Sequence, residues 1–312
     1  HNRIILSDNI VGREIIDEYK KIIENFEDTS NKFTENYIKK ENFSQTLKIQ
    51  STYNPNILNS SQKINHYKKR IFTNLEPTYK NKGKSQIKLI KNKFQQYFEI
   101  KKREKFLNSN SIKKIEDDNY ILFPMQSMPE AKVLTISPFY SNQITLIENI
   151  AKSIPINTIL YVKEHPIQKT KLWRSVEFYK KIIAIPNVKL VHPSVNSQEL
   201  IANTKAVILI SGGTGFEAIF HKKPVILFSE EIYEELSTVT KVSKFDNLHK
   251  EISEAITNFK FNIKEINALM TVIENQSITI PYFTIIKEGV TLSAIQRNKK
   301  NPEVTLQYFK KF

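Results

Sequence analysis

Two short stretches have residue types and spacing suited to holding an anion: Lys163-Glu164-His165-Pro166 and Ser211-Gly212-Gly213-Thr214-Gly215. A lysine and a histidine two residues apart can aim a charge and a hydrogen-bond donor at one phosphate, and Pro166 fixes the backbone that carries them. The second stretch offers hydroxyls beside glycines, whose missing Cβ atoms let a phosphate approach backbone N–H groups. Glu217, one turn further on, lies near where a ribose would be if the phosphate sat at the glycines. Plainer readings stand beside these. A lone histidine is often structural, and three glycines can simply make a tight turn.

The flanking residues explain how such groups would be positioned. Ala206–Ile210 is an uninterrupted, β-branched apolar run, as a strand buried on both faces should be. Phe216–His221 reads as a helix, closed by Lys222-Lys223-Pro224 before a second buried run, Val225–Phe228. A strand, a small-residue turn and a helix N-terminus make an anion site, because the first N–H groups lack partners and the helix dipole is positive there. Upstream, strand-like Tyr120–Pro124, Thr158–Lys163 and Val188–Val191 alternate with helical patterns at Gln143–Ser153, Ser175–Ile183 and Ser197–Asn203. Such alternation predicts βαβ units and an α/β, Rossmann-like, doubly wound parallel sheet. Ligands of these sheets sit beyond the carboxyl ends of the strands. Four successive strand ends carry polar chemistry there: the segment Pro124–Glu130, Lys163–Pro166, His192-Pro193-Ser194 and the glycine turn.

Length and composition bound the rest. A chain of 312 residues can hold about two domains. Lys and Arg number 47 against 32 Asp and Glu, a net charge of +15, which points to anionic partners. Without cysteine, neither a disulfide framework nor a thiolate metal site is possible. No apolar run approaches the roughly 20 residues needed to span a bilayer and no signal peptide is visible, so a cytoplasmic protein is expected. The chain opens on His1-Asn2, which suggests a start inside a longer gene product. Arg3–Ser7 is strand-like and Val11–Phe26 has helical spacing; residues 27 to about 62 are polar. The segment Lys63–Lys114 is the most basic, with Ile87, Ile90, Phe94, Tyr97, Phe98 and Ile100 at near-helical intervals. It reads as a solvated amphipathic helix pair or as a basic surface that meets an anionic membrane. Nucleic acid is not expected, because these lysines lack a regular stacking platform of aromatics.

The sequences KEHP, SGGTGFEA and KKPVILF together resemble the nucleotide-binding half of GT-B glycosyltransferases, in particular the bacterial capsular polysaccharide biosynthesis proteins that include β-Kdo transferases. FPMQSMPEA looks like that group's glutamine-and-glutamate element, with Gln126 and Glu130 at its ends, and the likeness runs from about Ile121 to Phe228. The resemblance implies a CMP-sugar donor, an acidic sugar, a glycan or glycolipid acceptor, and no metal cofactor. It implies that Lys163, His165, Pro166, Ser211, Gly212, Gly213, Thr214, Gly215 and Glu217 hold the nucleotide. Glu130, Glu164 and His165 are the candidates for acid/base work, Glu164 equally as a partner of Lys163. The resemblance departs over residues 1–116, which lack the alternating strands of a first GT-B domain. The expected division is therefore a mostly helical, basic region 1–116 and a nucleotide-sugar-binding domain 117–312 with C-terminal helices. Two other readings are a CDP-glycerol-type phosphotransferase, although its Asp-Tyr-Ser-Ser sequence is replaced here by Ser211-Gly212-Gly213-Thr214, and a non-catalytic nucleotide- or glycan-binding module. A peripheral position at the inner face of the membrane accompanies the enzyme reading.

Overall fold

The computed structural model describes residues 3–5, 11–28, 30–38, 86–128, 130–165, 168, 174–242 and 244–279. In chain order the elements are β1 (Arg3–Ile5), α1 (Arg13–Ile23), α2 (Lys32–Ile38), α3 (Gln86–Asn110), β2 (Tyr120–Pro124), α4 (Ala131–Ile136) and α5 (Gln143–Ser153). They continue with β3 (Ile159–Lys163), α6 (Val176–Ile183), β4 (Val188–Val191), α7 (Ser197–Asn203), β5 (Val207–Leu209), α8 (Gly213–Phe220) and β6 (Val225–Leu227). Last come β7 (Val239–Lys241), α9 (Leu248–Thr257), α10 (Ile263–Gln276) and β8 (Ser277–Thr279).

The chain divides into two compact units, one of residues 36–229 with 238–259 and the other of 1–35, 230–237 and 260–312. The division does not fall at residues 116 and 117. In the second unit β1 pairs antiparallel with β8, Arg3 opposite Thr279, and α1 packs on α10. Ile15, Ile16 and Tyr19 are the buried side of α1, at the spacing its pattern predicts.

The larger unit holds the predicted sheet. Its six parallel strands run in the order β4-β3-β2-β5-β6-β7. Ile121, Phe123, Leu160, Val162, Ile208 and Ile226 point to one face and join a core with Leu146, Ile147 and Ile150 of α5, Tyr179 and Ile182 of α6, and Leu248 and Ile252 of α9. Helix α8 packs against β5 and β6, and α7 packs against α8. Strands buried on both faces explain why they read as continuous apolar runs. The chain builds outward from β2 through β3 to β4, then crosses back to β5 beside β2. The switch point, where a doubly wound sheet opens its crevice, therefore lies between β2 and β5.

Two expectations change in detail. Helix α8 begins at Gly213, not Phe216, because first-turn positions make few intrahelical bonds and tolerate glycine there. A sixth strand, Val239–Lys241, went unseen: it is three residues long, at the sheet edge and partly exposed. In the basic segment the described part holds the helix α3; residues 63–85, where the other helix of the expected pair would fall, lie outside the described residues.

Candidate functional site

The crevice is closed by hydrogen bonds from a side chain that the strand ends place across it. Gln126 follows β2 by two residues, and its Nε2 donates to the carbonyl of Ser211 at the end of the β5 side. The backbone N–H of Gln126 donates to Gln143 Oε1 (2.9 Å), and Gln143 Nε2 returns a bond to the Gln126 carbonyl (3.2 Å). Arg174 also donates to that carbonyl. The Met125 N–H donates to the carbonyl of Lys163 (2.9 Å), so the loop after β2 ties the end of β3 to the glycine turn.

Gly212 caps α8 with φ +106° and ψ 177°, a backbone region that L residues rarely enter. A Cβ there would meet only the Gln126 amide, at 3.9 and 4.0 Å. The strain is therefore in the backbone, and Gly212→Ala is expected to cost about 1–3 kcal/mol in urea unfolding. An unchanged midpoint would mean that the turn relaxes to an ordinary conformation. Helices α5, α6, α7 and α10 are capped by Asn142, Ser175, Asn196 and Asn262 side chains; α8 receives no side-chain cap. Ser211 Oγ is buried without a hydrogen-bond partner, as is Nε2 of Gln168. Buried polar atoms left this way cost stability unless something supplies the missing bond.

At the end of β3, successive side chains part to opposite sides. Lys163 is 4% exposed and its Nζ donates to the Pro193 carbonyl at 3.2 Å. Burial lowers its pKa from the ordinary lysine value to about 8, with the Glu164 charge opposing. Glu164 is 1% exposed, and its carboxylate forms an ion pair with Arg174, accepts from the Tyr179 hydroxyl on α6, and accepts from the His165 N–H at 2.7 Å. Thus Glu164 bonds to Arg174 rather than to Lys163, a correction that follows from the strand's alternation. His165 itself is half-buried, and the carbonyl of His165 accepts from the Gln168 N–H. Pro166 lies outside the described residues.

On α8, Glu217 accepts from Gln198 Nε2 (2.7 Å), and Gln198 Oε1 bonds His221 Nε2 (2.8 Å). Burial raises the Glu217 pKa, with the Gln198 bond acting the other way. Gly213 is exposed, a Cβ there would meet nothing within 4 Å, and Thr214 and Gly215 follow it in the first turn. Glu130 stands at the N-cap of α4, half-buried, with no capping bond from its side chain. His192, after β4, shares a 2.6 Å hydrogen bond between its Nδ1 and Ser194 Oγ. Among the described residues no three His, Asp or Glu side chains gather as a metal site requires.

The structure thus brings Gln126, Ser211 and Gly212 into one bonded group, and ties Lys163 to it through the loop backbone. Arg174 and Gln198 are the residues the pattern did not disclose. Arg174 precedes the N-cap of α6 and has no periodic signal, so nothing in the pattern marked it.

No curated protein matches the chain. Among solved structures it is similar to Thermosulfurimonas dismutans KpsC, as β-Kdo 2,7 transferase, at 19% identity over 55% of this chain and 51% of that one, with a TM-score of 0.36. The β-Kdo 2,4 transferase of the same KpsC gives 15% identity, 57% and 63% coverage, and 0.34. Methanocaldococcus jannaschii UDP-GlcNAc 2-epimerase, in complex with UDP-GlcNAc and UDP, gives 17%, 58% and 52%, and 0.36. The chain spans about half the length of the first of these. The family model for capsule polysaccharide biosynthesis protein matches residues 16–266, which include the whole six-stranded parallel sheet and its crevice. The chain belongs to the capsule polysaccharide biosynthesis protein family.

Proposed function

We propose that the chain is a glycosyltransferase that takes an acidic sugar, of Kdo or sialic-acid type, from a CMP-sugar and passes it to a capsule or surface-glycan acceptor. The observation that carries this is the switch-point crevice, where Gln126 holds the uncapped, glycine-built start of α8 and the buried Lys163 stands two strands away. Family membership supports the polymer class. A CMP-sugar has one phosphate, whose charge Lys163, His165 and the first-turn amides of α8 can balance, and the proposed mechanism uses no metal. The bond from the anomeric carbon to the phosphate oxygen breaks with its electron pair going to CMP. The acceptor hydroxyl forms the new bond and gives up its proton to a base. Glu130 suits that proton transfer better than Glu164, whose carboxylate is buried and bonded to Arg174, Tyr179 and the His165 N–H. In this reading Glu217 takes the ribose, and Gln198 holds its carboxylate.

The test is a melting panel with CMP, CDP, UMP, UDP and GDP, because a ligand that binds only the folded state raises the melting temperature. CMP or CDP is expected to give the largest shift. Gly213→Ala is expected to leave the unliganded melting temperature within about 2 °C, since its Cβ meets open space, while abolishing the CMP shift by occupying the phosphate's approach. A shift with UDP or GDP and none with CMP overturns the cytidine assignment. An unchanged CMP shift in Gly213→Ala removes the phosphate from the start of α8.

A further inference from the structure

Among the described residues, helix α3 is anchored at one end only. Its C-terminal half docks: Arg103 and Leu107 are buried, Phe106 packs against the main core, and the helix meets α6. Toward the N-terminus, every described side chain from Lys91 to Glu99 is exposed. Three of these are aromatic, with Phe94 62%, Tyr97 56% and Phe98 65% exposed. Their i, i+3, i+4 spacing sets them on one stripe of the helix, opposite the docked Arg103 and Leu107. Lys91, Lys101 and Lys105 fall on the same stripe by the same spacing, and all three are exposed. Lys101 Nζ lies 6.0 Å from the Tyr97 ring centroid. Elsewhere the described aromatics mostly sit in the core or in ring clusters, so three exposed rings on one stripe call for an occupant.

We propose that this stripe is an interfacial anchor that lays α3 on an anionic lipid bilayer. Aromatic rings favour the headgroup boundary, where an apolar body and a wet edge are both accommodated, and flanking lysines bury their stems while their ammonium groups meet lipid phosphate. The charge selects the occupant. Helix α3 carries seven basic residues against Glu99 and Glu104, and residues 39–85 before it carry ten against Glu41 and Glu76. A second copy would set these like charges against each other, whereas an anionic surface neutralises them. No helix among the described residues is long and apolar enough to cross a membrane, so α3 lies on the surface.

The experiment is co-sedimentation of the full chain with vesicles of phosphatidylcholine alone, or with about one third phosphatidylglycerol, at low and high salt. Binding is expected only to the anionic vesicles, weakening at least tenfold with salt, because each lysine near the surface contributes roughly fivefold. The triple change Phe94→Ser, Tyr97→Ser, Phe98→Ser is expected to lower the low-salt affinity about tenfold or more with an unchanged melting temperature. Phe98→Trp keeps the anchor and reads insertion directly, as a blue shift in emission on anionic vesicles that neutral ones do not give. Equal binding to neutral vesicles, no binding to either, or undiminished binding by the serine variant overturns the proposal. So does a concentration-dependent dimer that the serine change abolishes, which would assign the stripe to a second copy. None of these readouts needs a nucleotide or an acceptor.

Discussion

Arg174→Met is expected to lower the unfolding free energy by about 3–5 kcal/mol, with a fall in melting temperature on the order of 10 °C. Arg174 is 6% exposed, and its guanidinium spans the Glu164 carboxylate and the Gln126 carbonyl. Removing it leaves a buried carboxylate whose remaining donors, the Tyr179 hydroxyl and the His165 N–H, cannot neutralise its charge. The penalty is that of an uncompensated buried charge rather than of a lost contact, which is why it exceeds the usual value of a hydrogen bond. Arg174→Lys should recover only part of it, because one ammonium cannot reproduce the planar fork that reaches both acceptors. Adding Glu164→Gln to Arg174→Met should restore much of the stability, since the charge is gone and the amide oxygen still accepts. Urea unfolding of the parent, Arg174→Met, Glu164→Gln and the double variant closes the cycle. A loss below about 1 kcal/mol in Arg174→Met, or a double variant no better than the single, would show that water reaches Glu164.

The sheet was legible because its strands are buried on both faces. Ile121–Phe123, Leu160–Val162 and Val207–Leu209 have no polar residue to interrupt them, and helices between them are marked by caps such as Asn142, Ser175 and Asn196. The strand Val239–Lys241 has neither property, so only its neighbour Val225–Leu227 reveals it. The site was legible in part for the same reason: strand ends are visible in sequence, Lys163 closes one, and Gln126 and Ser211 each follow one. What a strand end does with its side chains was not legible. Glu164 and Lys163 are adjacent in sequence, and pairing them is the natural reading, yet alternation turns them apart and Glu164 finds a guanidinium ten residues on. The Gln126–Ser211 bond joins residues 85 positions apart, which only the crossing from β4 back to β5 beside β2 brings together. The stripe on α3 illustrates the opposite limit. Its period was readable, but Phe94, Tyr97 and Phe98 have the spacing of core residues and the exposure of surface ones.

Lys163→Met is expected to move folding and binding in opposite directions. A buried lysine with one carbonyl partner at 3.2 Å holds its charge at a cost, which is why burial lowers its pKa to about 8. Methionine has similar length and no charge to desolvate, so at pH 7 the unliganded variant should melt several degrees higher than the parent. The pH dependence follows from linkage. The folded-state pKa lies below the unfolded one of 10.5, so between about pH 8 and 10.5 the unfolded chain binds the extra proton and the parent's stability rises with pH. The advantage of the methionine variant should therefore be full below pH 8 and shrink as pH climbs toward 10.5. CMP binding should behave oppositely. An anionic phosphate restores the charged form of Lys163, so the parent's affinity falls as pH rises through about 8. The variant's affinity is expected to be about tenfold or more weaker at pH 7, the value of a charge-assisted hydrogen bond of roughly 1.5–3 kcal/mol, and flat across that range. Melting curves and isothermal titration of both proteins at pH 7 and pH 9 decide it. A methionine variant that melts lower would give Lys163 a purely structural part, and one that binds CMP as tightly as the parent at pH 7 would take the phosphate away from the end of β3.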